Sequence, residues 1–342
     1  LYKLLGEASF SAGNLQIAEK YLSLALVSFP YDQELAIKLG DICAQTSRLE
    51  KAVTFYSQAL EVGIETSLIH NSLANSLFSL GNLNRAISHY DRAIGLDPDM
   101  ANLHSNKGSA LAQNGEVREA IESFKKALEK DPNLMAASDN LGRLLLSAGF
   151  FEPALNQLVR SLKLRLVELG IDFSTSITKL LQSVQRLNLP SSLAKDVGNL
   201  IHAIGLCYQK LNSIDDARTC FEVALRFLPL SPEINYSMAM LLFEQSEFES
   251  ALTYFEAGNG ENKVANSLLC LFQLGRIADY DARISSIGPN KEEIISVAAV
   301  NAFVSSSLNR PDTFYFCPNP MDFIWRSNLC EIKAHPADII PR

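Results

Sequence analysis

Alanines fall at Ala18, Ala52, Ala86, Ala120 and Ala154, each 34 residues after the last, and a second series runs through Ala25, Ala59, Ala93 and Ala127 at the same step. A period kept in several columns at once constrains the fold more than anything else in the chain, because one supersecondary unit must recur with it. Gly6, Gly40, Gly108 and Gly142 hold the step, with Ala74 in the missing place. Leu5, Leu39, Leu73 and Leu141 precede them, Gly13, Gly81, Gly115 and Gly149 mark a turn, and Leu15, Leu49, Leu83, Val117 and Phe151 follow it. Pro30, Pro98 and Pro132 close the unit. Between these marks apolar residues recur at helical spacing, so each unit is predicted to be two helices joined by a tight turn. Small residues let the helices approach closely. The large column (Leu22, Tyr56, Tyr90, Phe124, Leu158) is expected to fill the space between one pair and the next, and since a lone pair cannot bury that face, the pairs stack.

At these residues the chain resembles the tetratricopeptide repeat family. The stretch "NKGSALAQNGEVREAIESFKKALEKDP" (106–132) meets the family pattern of Leu-Gly, Gly-Asp/Asn-aromatic, Ala, aromatic, Ala and Pro almost throughout, with Lys107 standing where the family has Leu. The resemblance implies an all-α fold, a right-handed αα superhelix or solenoid of stacked helix-turn-helix repeats. Five units are expected over 1–163. A second block, 198–284, places Gly205, Tyr208, Ala217, Phe221, Ala224, Leu225 and Pro229 in the matching columns, then a weaker unit at 232–257 and a degenerate one around "LFQLGRI". Over 164–197 the period fails while a helical pattern persists, so this insertion is either a degenerate pair or a hinge, with a new helix start at Pro190-Ser191. Residues 285–342 read as a capping helix, to about 311, and an aromatic-rich tail outside the repeat phase. The chain starts without Met, part-way into a helical pattern, and is expected to be a segment of something longer.

Chemistry is sparse. With 30 Lys and Arg against 38 Asp and Glu, a net charge of −8 leaves no surplus for phosphate contacts, so nucleic acid is not expected as a partner. The six cysteines are scattered without zinc-ligand spacing and read as reduced core thiols, which suits a reducing, cytoplasmic setting. No window approaches the ~18 uninterrupted apolar residues of a membrane span. His89-Tyr90-Asp91 has the His-x-Asp form that opens an iron-binding triad, but on a helix residues i and i+2 point ~200° apart, and the neighbouring repeats put Tyr21, Phe55, Ser123 and Gln157 in the histidine's column. His70 and His104 share a first-helix column and read as packing residues. Asn235-Tyr236-Ser237 spells a glycosylation sequon on a predicted helix and is discounted. No catalytic residue, metal or cofactor is expected within this segment.

What remains is a binding surface. In the family, the first helix of each pair lines a concave groove, and the polar positions around the Leu-Gly pair face a bound peptide. Carried over, those positions are Lys3 and Glu7, Lys38 and Asp41, Asn71 and Asn75, Ser105, Asn106 and Ser109, and Asn140 and Arg143. Asn106 and Asn140 resemble the asparagine ladder in the repeat domain of O-linked N-acetylglucosamine transferases; an amide donates and accepts, so it pairs with any peptide unit. The mixed acids and amides at the other positions depart from the basic clamp of chaperone-binding relatives. The resemblance therefore implies an interaction scaffold for a protein or peptide partner. The alternative is the non-catalytic recognition arm of a larger enzyme, either such a glycosyltransferase or a 2-oxoglutarate/Fe(II) oxygenase, since "CPNPMDFIWRSNL" (317–329) is similar to the lead-in to that catalytic domain. In the oxygenase case the iron ligands would lie beyond Arg342, because His335-Pro336-Ala337-Asp338 has the wrong spacing.

Overall fold

The turn inside each helix pair depends on one left-handed residue. Gly13, Gly81, Gly115, Gly149 and Gly275 hold φ between 69° and 83°, which places the next amide on the last turn of the first helix, as in Glu116 N–H to the Leu111 carbonyl at 2.9 Å. Ser47, Asn212 and Ser246 fill the same slot at φ 58° to 62°, a conformation that costs a residue with a Cβ about 1 kcal/mol. The turn is thus set by geometry that glycine favours but does not monopolise.

The computed structural model describes residues 1–168, 181, 184, 187, 189–258, 262–287 and 294–309, and every regular element among them is a helix. The chain divides into two compact units, Leu1–Phe173 and Ser174–Arg342. The first unit holds five helix pairs: α1 (Tyr2–Ser11) with α2 (Leu15–Ser28), α3 (Gln33–Gln45) with α4 (Leu49–Val62), α5 (Ser67–Ser79) with α6 (Leu83–Leu96), α7 (Ala101–Gln113) with α8 (Val117–Lys130), and α9 (Met135–Ser147) with α10 (Phe151–Glu168). The second holds α11 (Ser191–Lys210) with α12 (Ile214–Phe227), α13 (Pro232–Glu244) with α14 (Phe248–Ala257), and α15 (Lys263–Gln273) with α16 (Ile277–Ser286). There α17 (Ile294–Ser307) packs beside the last pair, with Phe303 edge-on to Phe272 of α15 and Asn301 accepting from the Tyr280 hydroxyl of α16 at 3.1 Å. Most of 169–188, the aromatic tail and the stretch 317–329 lie outside the described residues.

Both alanine columns are fully buried, as close packing requires. The large column does more than meet the next pair, against which Tyr56 packs among Ile69, Leu73 and Leu77: it also seats inside its own pair, on the glycine sixteen residues earlier. A Cβ built on Gly40 would lie 2.6 Å from the Tyr56 ring, one on Gly108 2.9 Å from Phe124, and one on Gly205 2.6 Å from Phe221. No side chain fits between, so the glycine column is a socket for the ring and not only a place where backbones meet. Lys107, the departure from Leu, is half-buried and sends its ammonium to Asp91 of the preceding pair at 2.6 Å.

The closing prolines show a further regularity. Each leaves a carbonyl that needs a donor, and it is met from one of two places. His104 Nε2 reaches the Pro98 carbonyl at 3.1 Å and Asn235 Nδ2 the Pro229 carbonyl at 3.2 Å, both from six residues on. Where that position holds Ala36 or the short Ser138, a side chain of the second helix takes over: Gln58 Nε2 binds the Pro30 carbonyl at 3.1 Å and Arg160 Nη2 the Pro132 carbonyl at 2.6 Å. His104 and Asn235 are accordingly buried, which agrees with the packing role expected of the former and keeps the latter from glycosylation.

Candidate functional site

Positions i and i+4 of a helix share a face. On the first helices of unit 1 that face carries the predicted polar residues, and they bond to one another across the pairs. Lys38 Nζ reaches Glu7 at 2.7 Å, Asn106 Nδ2 reaches Asn71 Oδ1 at 3.0 Å and Asn75 Oδ1 at 3.4 Å, and Asn140 Nδ2 reaches Ser109 Oγ at 3.2 Å. The residue two before the small column of one repeat therefore bonds the residue just after that column in the repeat before. Asn75, Asn140 and Arg143 are exposed; Lys38, Asp41, Asn71, Asn106 and Ser109 are half-buried. Ser105 is the exception. It is 4% exposed, too short to reach the surface where Asn71 reaches it from the same column, and it drops out of the face.

The two ends of this ladder differ in charge. At the start, Lys3 pairs with Asp32 (2.8 Å) and Glu34 (2.9 Å), and Lys38 pairs with Glu7 and with Glu34 (2.8 Å). Hydrogen bonds from Lys38 and then Lys3 hold the Glu34 carboxyl at about 2. Asp41 accepts from the Tyr56 hydroxyl at 2.7 Å, and burial raises its pKa despite that bond. Asn75 likewise accepts from Tyr90 at 2.6 Å, whereas Phe124 has no hydroxyl and leaves Ser109 to Asn140. At the far end Asp139 pairs with Arg165 at 2.9 Å, and the exposed Arg143 has no ion-pair partner among the described residues.

Parallel to the ladder runs an apolar stripe that sequence reasoning missed. Three residues after Glu7, Asp41, Asn75, Ser109 and Arg143, still on the same face, stand Phe10, Ala44, Phe78, Ala112 and Leu146, all half-buried. The signal was one further column in the same frame. A similar set of bonds recurs within unit 2, where His202 Nε2 lies 2.9 Å from Ser237 Oγ and Asn266 Nδ2 donates to Tyr236 Oη at 3.3 Å and Met240 Sδ at 3.4 Å. Extending the frame to the second block would have found these.

The His-x-Asp pair points apart, as a helix requires. His89 Nδ1 lies 3.0 Å from His70 Nδ1 with the rings stacked, while Asp91 holds Lys107. His70 is buried, its Nε2 3.6 Å from Glu65, which Arg92 also binds at 2.8 Å. Burial, then His70 and Arg85, hold His89 below the ordinary imidazole value. The unfolded chain therefore takes up that proton more readily, and the stability tied to neutral His89 is complete above about pH 6.5 and lost as pH falls below it through the lower value of the folded chain. Partial exposure to solvent keeps the effect small. Melting temperatures at pH 7.5 and pH 5 should show His89→Phe losing less on acidification than the parent chain; equal losses would remove His89 from the acid response.

Among the described residues no group of three or more metal-ligating side chains converges, and no helix is long and apolar enough to cross a membrane. Cys43, Cys207, Cys220 and Cys270 are free and buried, and burial raises all four thiols, Cys207 to about 11 and Cys270 to about 12, so they stay protonated.

The family model described as tetratricopeptide repeat matches residues 3–64, 71–134 and 202–262, more than half of the chain. No curated protein matches the sequence. Among solved structures, a tetratricopeptide repeat protein from Parabacteroides merdae superposes with a TM-score of 0.53 at 18% identity, covering 79% of this chain and 98% of its own, and so shares the fold. PilF of Pseudomonas aeruginosa gives 0.49 at 18% identity over 76% of this chain and 97% of its own.

Proposed function

The chain belongs to the tetratricopeptide repeat family, and from that premise we propose that it is a protein-interaction scaffold whose unit 1 holds a peptide or partner protein along the first-helix face. The observation that carries this reading is the amide ladder. Its members use part of their hydrogen-bonding capacity on one another: Asn106 and Asn140 donate along the face, and their amide oxygens take no partner among the described residues, while Asn71 and Asn75 accept and keep their amide nitrogens. The side chains are held in place by the bonds they already make, so little rotamer freedom is lost when a ligand arrives. What remains open is a row of acceptors and donors suited to a peptide backbone. Rigidity comes from the ring sockets beneath, and no covalent step is involved.

The test is the double substitution Asn106→Ala and Asn140→Ala. Peptides selected against the parent chain from an unbiased displayed library should bind the variant about tenfold more weakly or worse, given roughly 0.5–1.5 kcal/mol per hydrogen bond, with the helical circular dichroism unchanged. Unchanged affinity would move the binding surface off the ladder.

A further inference from the structure

The apolar stripe alternates in size: Phe10, Ala44, Phe78, Ala112, Leu146. Side-chain size implies two recesses, one over Ala44 between Phe10 and Phe78, and one over Ala112 between Phe78 and Leu146. Direct side-chain bonds reach between the first helices of neighbouring pairs, whose backbones approach less closely than those of one pair, so a step is at the wide end of helix packing, about 10 Å, and the recesses lie two such steps apart, about 20 Å. An extended chain rises about 3.3 Å per residue, so the span takes about six residues. Side chains of an extended chain alternate in direction, and an even number puts both groups on one side. Charge then sets the polarity. Around the first two repeats Glu7, Asp32, Glu34 and Asp41 outnumber Lys3 and Lys38, whereas Arg143, one helix step beyond Ala112, is exposed without an ion-pair partner among the described residues.

Resting on the groove reading above, the geometry points to one class of occupant. It is an extended peptide with two bulky apolar side chains six residues apart, seated over Ala44 and Ala112, and a carboxylate about three residues past the second, paired with Arg143.

The test uses the full chain and synthetic fluorescein-labelled peptides of Ser and Gln bearing two Leu residues six apart and Glu three residues after the second. Controls carry the Leu residues three apart, or the same sequence reversed. The six-spaced peptide should bind at least about tenfold more tightly than either control. Ala112→Phe should abolish that advantage by filling a recess, and Phe78→Ala should abolish it by merging the two, which keeps the question open to measurement if the first variant folds poorly. Equal binding of all three peptides that still weakens in the Asn106→Ala and Asn140→Ala variant would overturn the spacing and leave the groove in place. Absence of binding, or binding indifferent to those asparagines, would overturn both.

Discussion

Phe124→Ala should weaken the fourth helix pair by about 3–5 kcal/mol, the range for emptying a buried aromatic site. The ring is 1% exposed and rests on Gly108, where an added Cβ would lie 2.9 Å from it. Unlike Tyr56 and Tyr90, Phe124 makes no polar contact through its ring, so the loss is one of packing alone. In a stack where each repeat leans on its neighbours, the damage should stay near its source. Amide hydrogen exchange should accelerate by two to three orders of magnitude in α7 and α8, less in α6 and α9, and little in α1 and α2. Uniform acceleration across α1–α10 would mean that the unit unfolds as one block; unchanged protection would mean that the socket is not an anchor.

The Asp139–Arg165 pair is expected to behave oppositely under single and double replacement. Its side chains are 15% and 19% exposed, and although they meet at 2.9 Å, Asp139 Oδ1 and Arg165 Nε are buried without a partner among the described residues, as are the Ser138 and Ser161 hydroxyls and the Gln157 amide oxygen on the same two helices. Desolvation is therefore only partly offset. Asp139→Leu alone strands a mostly buried guanidinium and should cost about 2–3 kcal/mol. Asp139→Leu with Arg165→Met removes both charges and should come within about 1 kcal/mol of the parent, or exceed it. Urea midpoints decide: a double variant as weak as the single one would show that the ion pair is a net source of stability.

The all-α repeat architecture was legible because each packing contact is written several times in phase, so chance agreement is excluded by repetition. The partner of each column was not. Gly108 and Phe124 are both visible as periodic residues, yet nothing in the periodicity says that column six meets column twenty-two of the same unit. The site shows the same limit. Polar residues at the right phase mark the face, but whether one is available depends on length and on what stands opposite. Ser105 falls short, and Asp41 and Asn75 are engaged because the large column of their own repeats is tyrosine and not phenylalanine. The stripe from Phe10 to Leu146 escaped notice because its members differ in size, and it is that difference which makes the recesses.

The donors to the proline carbonyls bear on how such repeats can be exchanged. Each junction is served from either the next first helix or the second helix that follows, and the two sources complement one another: Ala36 stands with Gln58, Ser138 with Arg160, while His104 stands with Lys126 and Asn235 with Ala257. A single helix cut from one repeat and grafted into another would carry half of this arrangement and leave the junction either unserved or served twice. The smallest transplantable piece is therefore a whole helix pair together with the proline that precedes it.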